Sequence, residues 1–90
     1  MEHGMDKVIT FEVAISILSG MMGLISQELL REQAKSHPDL SKLAALKREH
    51  SKIWRERHFL GVEDEVVINH VLAEYGPLVK EGMETLVIGH

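Results

Sequence analysis

The first half of the chain holds its most apolar stretch, and the apolar residues in it recur at helical spacing. Between Val8 and Ile25 the only charged side chain is Glu12. At 100° per residue, one face of a helix gathers Phe11, Ala14, Ile15, Leu18, Met22, Ile25 and Leu29. Thr10 is a suitable N-cap residue. The pattern therefore predicts helix 1 over residues 11–35, after a flexible N-terminus over residues 1–8.

The apolar arc of helix 1 is wider than one neighbouring helix covers. Val13, Ile17, Met21 and Leu24 extend it past half of the circumference. Most of the remaining strip is small, and the spacings Ser16-xxx-Gly20 and Ser19-xxx-Gly23 favour the close approach of another helix. We expect this surface to associate with a second copy of the chain. The predicted oligomer interface consists of Ile17, Gly20, Met21, Gly23, Leu24 and Glu28.

A membrane span is the competing interpretation of the same stretch. Its uninterrupted apolar part, from Val13 to Ile25, is shorter than the roughly 20 residues that a span requires. The acidic Glu2 and Asp6 precede it, where a secretion signal carries positive charge. We therefore expect no membrane partner. The chain contains no cysteine, which favours a reducing compartment, the cytoplasm.

The segment Ser36-His37-Pro38-Asp39 separates helix 1 from a second helix. Proline disfavours helix at the preceding residue, and Ser36 with Asp39 matches a capping box. Helix 2 is expected from about Asp39 to Gly61. Its apolar seam comprises Leu40, Leu43, Leu46, His50, Ile53, Trp54, Arg57 and Leu60. So short a link implies an antiparallel hairpin in which facing residue numbers sum to about 75, with Trp54 turned inward against the methionines of helix 1.

The rest of the chain completes a helical domain. Three acidic residues, 63–65, would begin a third helix, and Gly76-Pro77 would stop it. The tail after Pro77 suits a short helix or a strand, with helix favoured. The predicted fold is all-α: one domain over residues 1–90, with a long antiparallel helical hairpin, a third helix and a short C-terminal segment. A chain this small gains burial by dimerisation, which would complete a helical bundle.

Histidine is abundant, with six residues, but its spacing does not predict a metal site. No two histidines stand three or four residues apart, as helical zinc ligands do. His70 and Glu74 have that spacing, and we interpret them as an exposed pair. The sequence also lacks a nucleophile motif and a phosphate-binding glycine loop. We therefore expect no catalytic residue, metal or cofactor, and a protein that is not an enzyme.

Two polar residues on the seam of helix 2 are unusual. His50 and Arg57 could cover apolar surface with their stems, which is the simpler interpretation. Alternatively, they fix the register of a dimer by meeting Glu28 or Glu32 of another chain. His50 would then make assembly pH-sensitive near its ordinary pKa of about 6.5.

Charge is unevenly distributed along the chain. Residues 47–58 contain five basic and two acidic side chains, whereas residues 59–90 contain six acidic residues and only Lys80 as a base. Arg48, Lys52 and Arg55 share one helix face and could contact phosphates. Two points oppose nucleic-acid binding. Trp54 is expected to face inward, and Arg55 and Arg57 could pair with Glu63, Asp64 or Glu65 within one chain or across a dimer.

Together these patterns predict a non-enzymatic helical interaction module, such as an adaptor, inhibitor or regulatory subunit. It would form a homodimer through its apolar first helix and could bind a further protein partner. The alternative is a small dimeric nucleic-acid-binding regulator that uses the basic face of helix 2.

Overall fold

The computed structural model describes residues 2–88, with side chains described for residues 6–82. All regular structure in this range is α-helical. Its helices are α1 (Glu2–Gln33), α2 (Leu40–Phe59), α3 (Glu65–Glu74) and α4 (Gly76–Ile88). The prediction of an all-α chain is confirmed.

The expected start of helix 1 is wrong, because α1 begins at Glu2. Thr10 is not an N-cap: its Oγ1 donates a hydrogen bond to the Asp6 carbonyl, 2.7 Å away, from within the helix. Threonine can bond back to the preceding turn in this way, so its cap preference did not decide the boundary. Lys7 forms ion pairs with Glu63 at 3.2 Å and Glu65 at 3.7 Å, which attach this early turn to the start of α3. Flexibility of residues 1–8 stays a prediction.

The link between α1 and α2 closes an antiparallel hairpin. Asp39 is the N-cap of α2, and its side chain accepts a hydrogen bond from the Lys42 backbone N–H at 3.1 Å. Arg57 Nε donates to Ser19 Oγ at 2.8 Å, and Lys42 lies 3.3 Å from Glu32. Both pairs fall within one residue of the expected register. The predicted hairpin and its register are confirmed.

The third helix ends at Glu74, just before Gly76-Pro77 as predicted, but the predicted glycine cap does not end it. Only Tyr75 separates α3 from α4, and helical hydrogen bonds run from Tyr75 N to the Val71 carbonyl and from Val79 N to the Tyr75 carbonyl, both 2.9 Å. No described glycine has the positive φ of a helix-ending turn. Proline lacks an N–H, but its fixed φ suits the first turn of a helix, so the chain restarts a helix here. The C-terminal segment is helical through Ile88.

The centre of the fold is α1. It contacts each of the other three helices, α3 contacts α4, and no described Cα of α2 lies within 8 Å of α3 or α4. The buried apolar residues lie along these seams: Ala14, Leu18, Ile25, Ile53, Leu60, Ile68 and Val71. The chain measures 56 × 29 × 15 Å and has a radius of gyration of 15.2 Å. A compact domain of this length has about 12 Å, so this fold is elongated.

Candidate functional site

A buried carboxylate holds the closed end of the hairpin. Glu32 has only 2% of its surface exposed. Its carboxylate accepts hydrogen bonds from the Asp39 N–H and from Lys35 Nζ, both at 2.9 Å, and Lys42 Nζ lies 3.3 Å away. The Asp39 N–H first, and then the Lys35 ammonium, lower the pKa of Glu32 to about 2. The arrangement joins α1, the link and α2.

Glu28 belongs to the same network. It pairs with Arg31 at 2.6 Å and with Lys42 at 3.0 Å. The hydrogen bond from Lys42 is the main cause that lowers its pKa. Both glutamates that could have met His50 and Arg57 across a dimer thus have partners in their own chain. His50 is partly buried, and Arg57 is exposed and bonded to Ser19.

Much of the predicted interface of α1 lies against α4 of the same chain. A Cβ added to Gly20 would stand 2.8 Å from Val79 Cγ1, and one added to Gly82 would stand 2.6 Å from Leu24 Cδ1. The close approach expected at Gly20 therefore occurs within the chain. At Gly23, by contrast, an added Cβ meets nothing within 4 Å.

Two other predicted interface residues, Ile17 and Met21, also pack within the chain. Ile17 Cδ1 would lie 3.6 Å from a Cβ added to Gly76, and Met21 packs against the buried core. A role for these residues between chains stays a prediction.

The N-terminal half of α1 carries an exposed apolar surface. In the hairpin register, the last residue of α2 reaches only to about residue 16 of α1, so the turns before it have no α2 beside them. Ile9 is 53% exposed and Val13 is 44% exposed. They line an open groove of about 380 Å³ together with Glu12, Ser16, Ile17 and Val79. We call the exposed side chains of Val8, Ile9 and Val13, with this groove, the α1 apolar surface.

By length and composition, α1 also meets the criteria for a helix that could cross a membrane. The segment Asp6–Gln33 reaches a mean hydropathy of 2.0, and 17% of its most apolar window is buried. A core helix and a secretion signal meet the same criteria. Length and hydropathy therefore do not distinguish a membrane from another protein as the partner of the α1 apolar surface.

Trp54 is not in the core, contrary to expectation. It is 47% exposed, and its indole stacks on the His58 ring with centroids 4.9 Å apart and planes inclined by 7°. Ile53, the preceding residue on the same expected seam, is fully buried. Among the described residues, α1 is the only helix with a Cα within 8 Å of α2, so α2 buries a narrow stripe, and Trp54 lies 100° from the centre of that stripe.

Among the described side chains of one chain, Arg55 and Arg57 do not pair with the acidic residues 63–65, so that version of the expected pairing is wrong; pairing across a dimer stays a prediction. Glu63 and Glu65 pair with Lys7, and Asp64 accepts a hydrogen bond from the Gly61 N–H at 2.7 Å. Arg55 has no hydrogen bond or ion pair within residues 6–82. Arg48, Lys52 and Arg55 are all exposed on the outer side of α2.

No group of three or more potential metal ligands occurs among the described residues. His70 and Glu74 are both exposed, and the His70 ring meets the edge of Tyr75 with centroids 6.2 Å apart. A second pocket, of about 280 Å³, includes Lys7 and Glu65, which already pair with each other.

No family model matches the chain, and comparisons with curated proteins and with solved structures find no match.

Proposed function

We propose that this chain is a non-enzymatic helical interaction protein of the cytoplasm that self-associates through the α1 apolar surface. The occupant that we propose for this surface is a second copy of the chain. The observation that carries the proposal is the exposure of Ile9 and Val13 beside an open apolar groove.

The accessible surface area of the chain supports a second copy as the partner of the α1 apolar surface. The chain has 6505 Å² of accessible surface, whereas a compact protein of its mass has about 5,300 Å². A standard protein interface buries about 800 Å² on each partner. The excess of about 1,200 Å² is therefore sufficient for one such interface.

The position of the surface differs from the interface expected at Gly20 and Leu24. Val79 and Gly82 of α4 already lie against those residues. The turns before residue 16 lack α2 beside them, so a second copy would supply the missing neighbour. Two such chains would bury both copies of the surface in a symmetric interface, the commonest arrangement of homodimers.

The test is the solution mass of the full chain, measured by sedimentation across micromolar concentrations. We expect a dimer for the natural sequence, and a folded monomer for Val13→Glu, because the substitution buries a charge in the interface. Leu40→Glu is the matched control, since Leu40 is 77% exposed at the start of α2, beside the link at the other end of α1. The control should remain a dimer with unchanged circular dichroism.

Two results would overturn the proposal. One is a well-folded monomer for the natural sequence at all concentrations. The other is a chain that stays with membranes after cell lysis and needs detergent to be released, since α1 would then face lipid rather than a second copy.

A further inference from the structure

The outer face of α2 is exposed and free of acidic residues from Ala44 to Phe59. Its exposed positions are Ala44, Ala45, Lys47, Arg48, Ser51, Lys52, Trp54, Arg55, Arg57, His58 and Phe59. The two glutamates of α2, Glu49 and Glu56, are partly buried on its inner side. They lie near Tyr75, whose pKa is raised by burial and then by these two carboxylates. We call the exposed set the α2 basic face.

Most cations of this face are not paired within the protein. Lys47, Arg48, Lys52 and Arg55 form no hydrogen bond or ion pair with any side chain in residues 6–82. Apart from Glu49 and Glu56, the acidic residues of the chain lie on other segments: α3 and α4 together contain four, against one lysine. No described Cα of α2 lies within 8 Å of α3 or α4, and the two glutamates of α2 are on the side that faces Tyr75, opposite the exposed cations. The net charge of −4 therefore does not cancel the positive potential along α2.

Aromatic rings stand among these cations. The exposed indole of Trp54 is stacked on His58, and the His58 ring meets Phe59 edge-on with centroids 4.9 Å apart. Phe59 is 75% exposed. His58 covers one face of the indole, and the half-exposed Trp54 has surface left to receive another flat ring. A fixed, exposed ring beside cations is the combination on which unpaired bases stack.

A bilayer surface is the other common partner of cations and aromatic rings, but the arrangement on α2 does not favour it. A helix that lies on a bilayer gathers its apolar side chains on one face and places its cations on the other. On α2, Trp54 and Phe59 are about 140° apart, and the arc between them contains Arg48, Arg55 and His58. The centre of the face is cationic, as a strand of phosphates requires.

We infer that the α2 basic face binds single-stranded nucleic acid, with Lys47, Arg48 and Arg55 contacting phosphates and Trp54 stacking on a base. At 100° per residue these three cations lie in the arc of about 140° between Trp54 and Phe59, and Lys47 is only about 20° from Trp54. Neither contact reads base identity, so we expect weak dependence on sequence. This surface is separate from the α1 apolar surface and does not depend on self-association.

The chain contains a single tryptophan, so its fluorescence reports directly on the proposed site. The experiment titrates the full chain with a fluorescein-labelled oligothymidine of about 20 nucleotides at low salt. We expect anisotropy to rise and Trp54 fluorescence to be quenched together. The logarithm of the affinity should fall against the logarithm of salt concentration with a slope near −2, as for three phosphate contacts.

Variants of exposed residues distinguish base stacking by Trp54 from phosphate contacts by the cations. Trp54→Ala should weaken binding by about 5- to 150-fold, whereas Trp54→Phe should retain most of the affinity because it keeps a ring. Arg55→Gln should weaken binding and reduce the magnitude of the salt slope by about 0.7. Lys80→Gln is the matched control, since it removes one exposed charge from α4 and should leave binding unchanged.

Several results would overturn the inference. These are the absence of binding at low salt, equal weakening by Lys80→Gln and Arg55→Gln, tighter binding of duplex than of single strand, and binding to anionic phospholipid vesicles without binding to the oligonucleotide. Binding of the oligonucleotide without quenching of Trp54 would place the strand elsewhere. The monomeric Val13→Glu variant should still bind, so failure here is distinguishable from failure of self-association.

Discussion

The contact between α1 and α4 can be tested with two glycines on the same helix. Replacing an exposed helical glycine by alanine stabilises a helix by about 0.5–1 kcal/mol. Gly23 has open space around its Cβ position, so Gly23→Ala should gain this amount. With an unfolding entropy of about 0.19 kcal/mol/K for a chain of this length, the gain corresponds to roughly 3–5 °C in Tm.

Gly20→Ala should behave differently although its helix propensity gain is the same. Its new Cβ would stand 2.8 Å from Val79 Cγ1 and 3.5 Å from Val79 Cγ2. Carbon atoms prefer separations of about 3.5–4.0 Å, and valine has little rotamer freedom in a helix. Overpacking of this kind costs about 1–3 kcal/mol. We therefore expect Gly20→Ala to be neutral or destabilising by up to about 2 kcal/mol.

Thermal unfolding followed by circular dichroism measures both variants, at one fixed chain concentration because Tm depends on association. A third comparison uses Val79→Ala as the background. Removing the two Cγ atoms should restore the full gain from Gly20→Ala, and the double-mutant cycle should give a coupling of about 1–3 kcal/mol. If Gly20→Ala stabilises the natural chain as much as Gly23→Ala does, α4 does not pack on α1 as described.

Two further predictions concern the hairpin. Ile53→Ala removes three buried carbons and should cost about 2–4 kcal/mol, whereas Leu40→Ala, at an exposed position, should cost less than about 0.5 kcal/mol. Urea denaturation measures both, and equal costs would contradict the packing of α2. The folded pKa of Glu32 is about 2 against an ordinary 4.5, so its contribution is present above pH 4.5 and is lost as the pH falls toward 2. The urea midpoints of the natural chain and of Glu32→Gln should therefore converge over that window, with Glu74→Gln, at an exposed position of α3, as the charge-matched control. Parallel curves would refute the role of Glu32.

Helical periodicity predicted the fold well because it depends on features that are local in sequence. The apolar repeat of α1, the Asp39 cap and the short link together determine an antiparallel hairpin, and the Arg57–Ser19 contact lies at the expected register. The ends of helices were predicted less reliably, because some residues suit both a helix end and another position in or beside a helix. Threonine can cap a helix or bond within one, and Gly76-Pro77 can end a helix or begin the next.

The candidate sites depended on tertiary contacts that no local pattern reveals. The outward position of Trp54 follows from the narrow seam of a helix with one packed neighbour. Glu32 acquires its role only when the link places the Asp39 N–H against its carboxylate. The expected pairing of arginines with residues 63–65 within one chain failed because Lys7, on an α1 longer than predicted, lies beside Glu63 and Glu65 instead.

The central position of α1 has a consequence for how the molecule comes apart. Because no described Cα of α2 lies within 8 Å of α3 or α4, and α2 approaches Tyr75 through the side chains of Glu49 and Glu56, we expect α2 to open while α1, α3 and α4 stay assembled. α1 cannot unfold while the other helices stay assembled, because α2, α3 and α4 all pack on it. Unfolding of α2 alone is therefore a subglobal event, whereas unfolding of α1 unfolds the whole domain. Amide exchange should be slowest along α1 and faster along α2, the helix that presents the basic face.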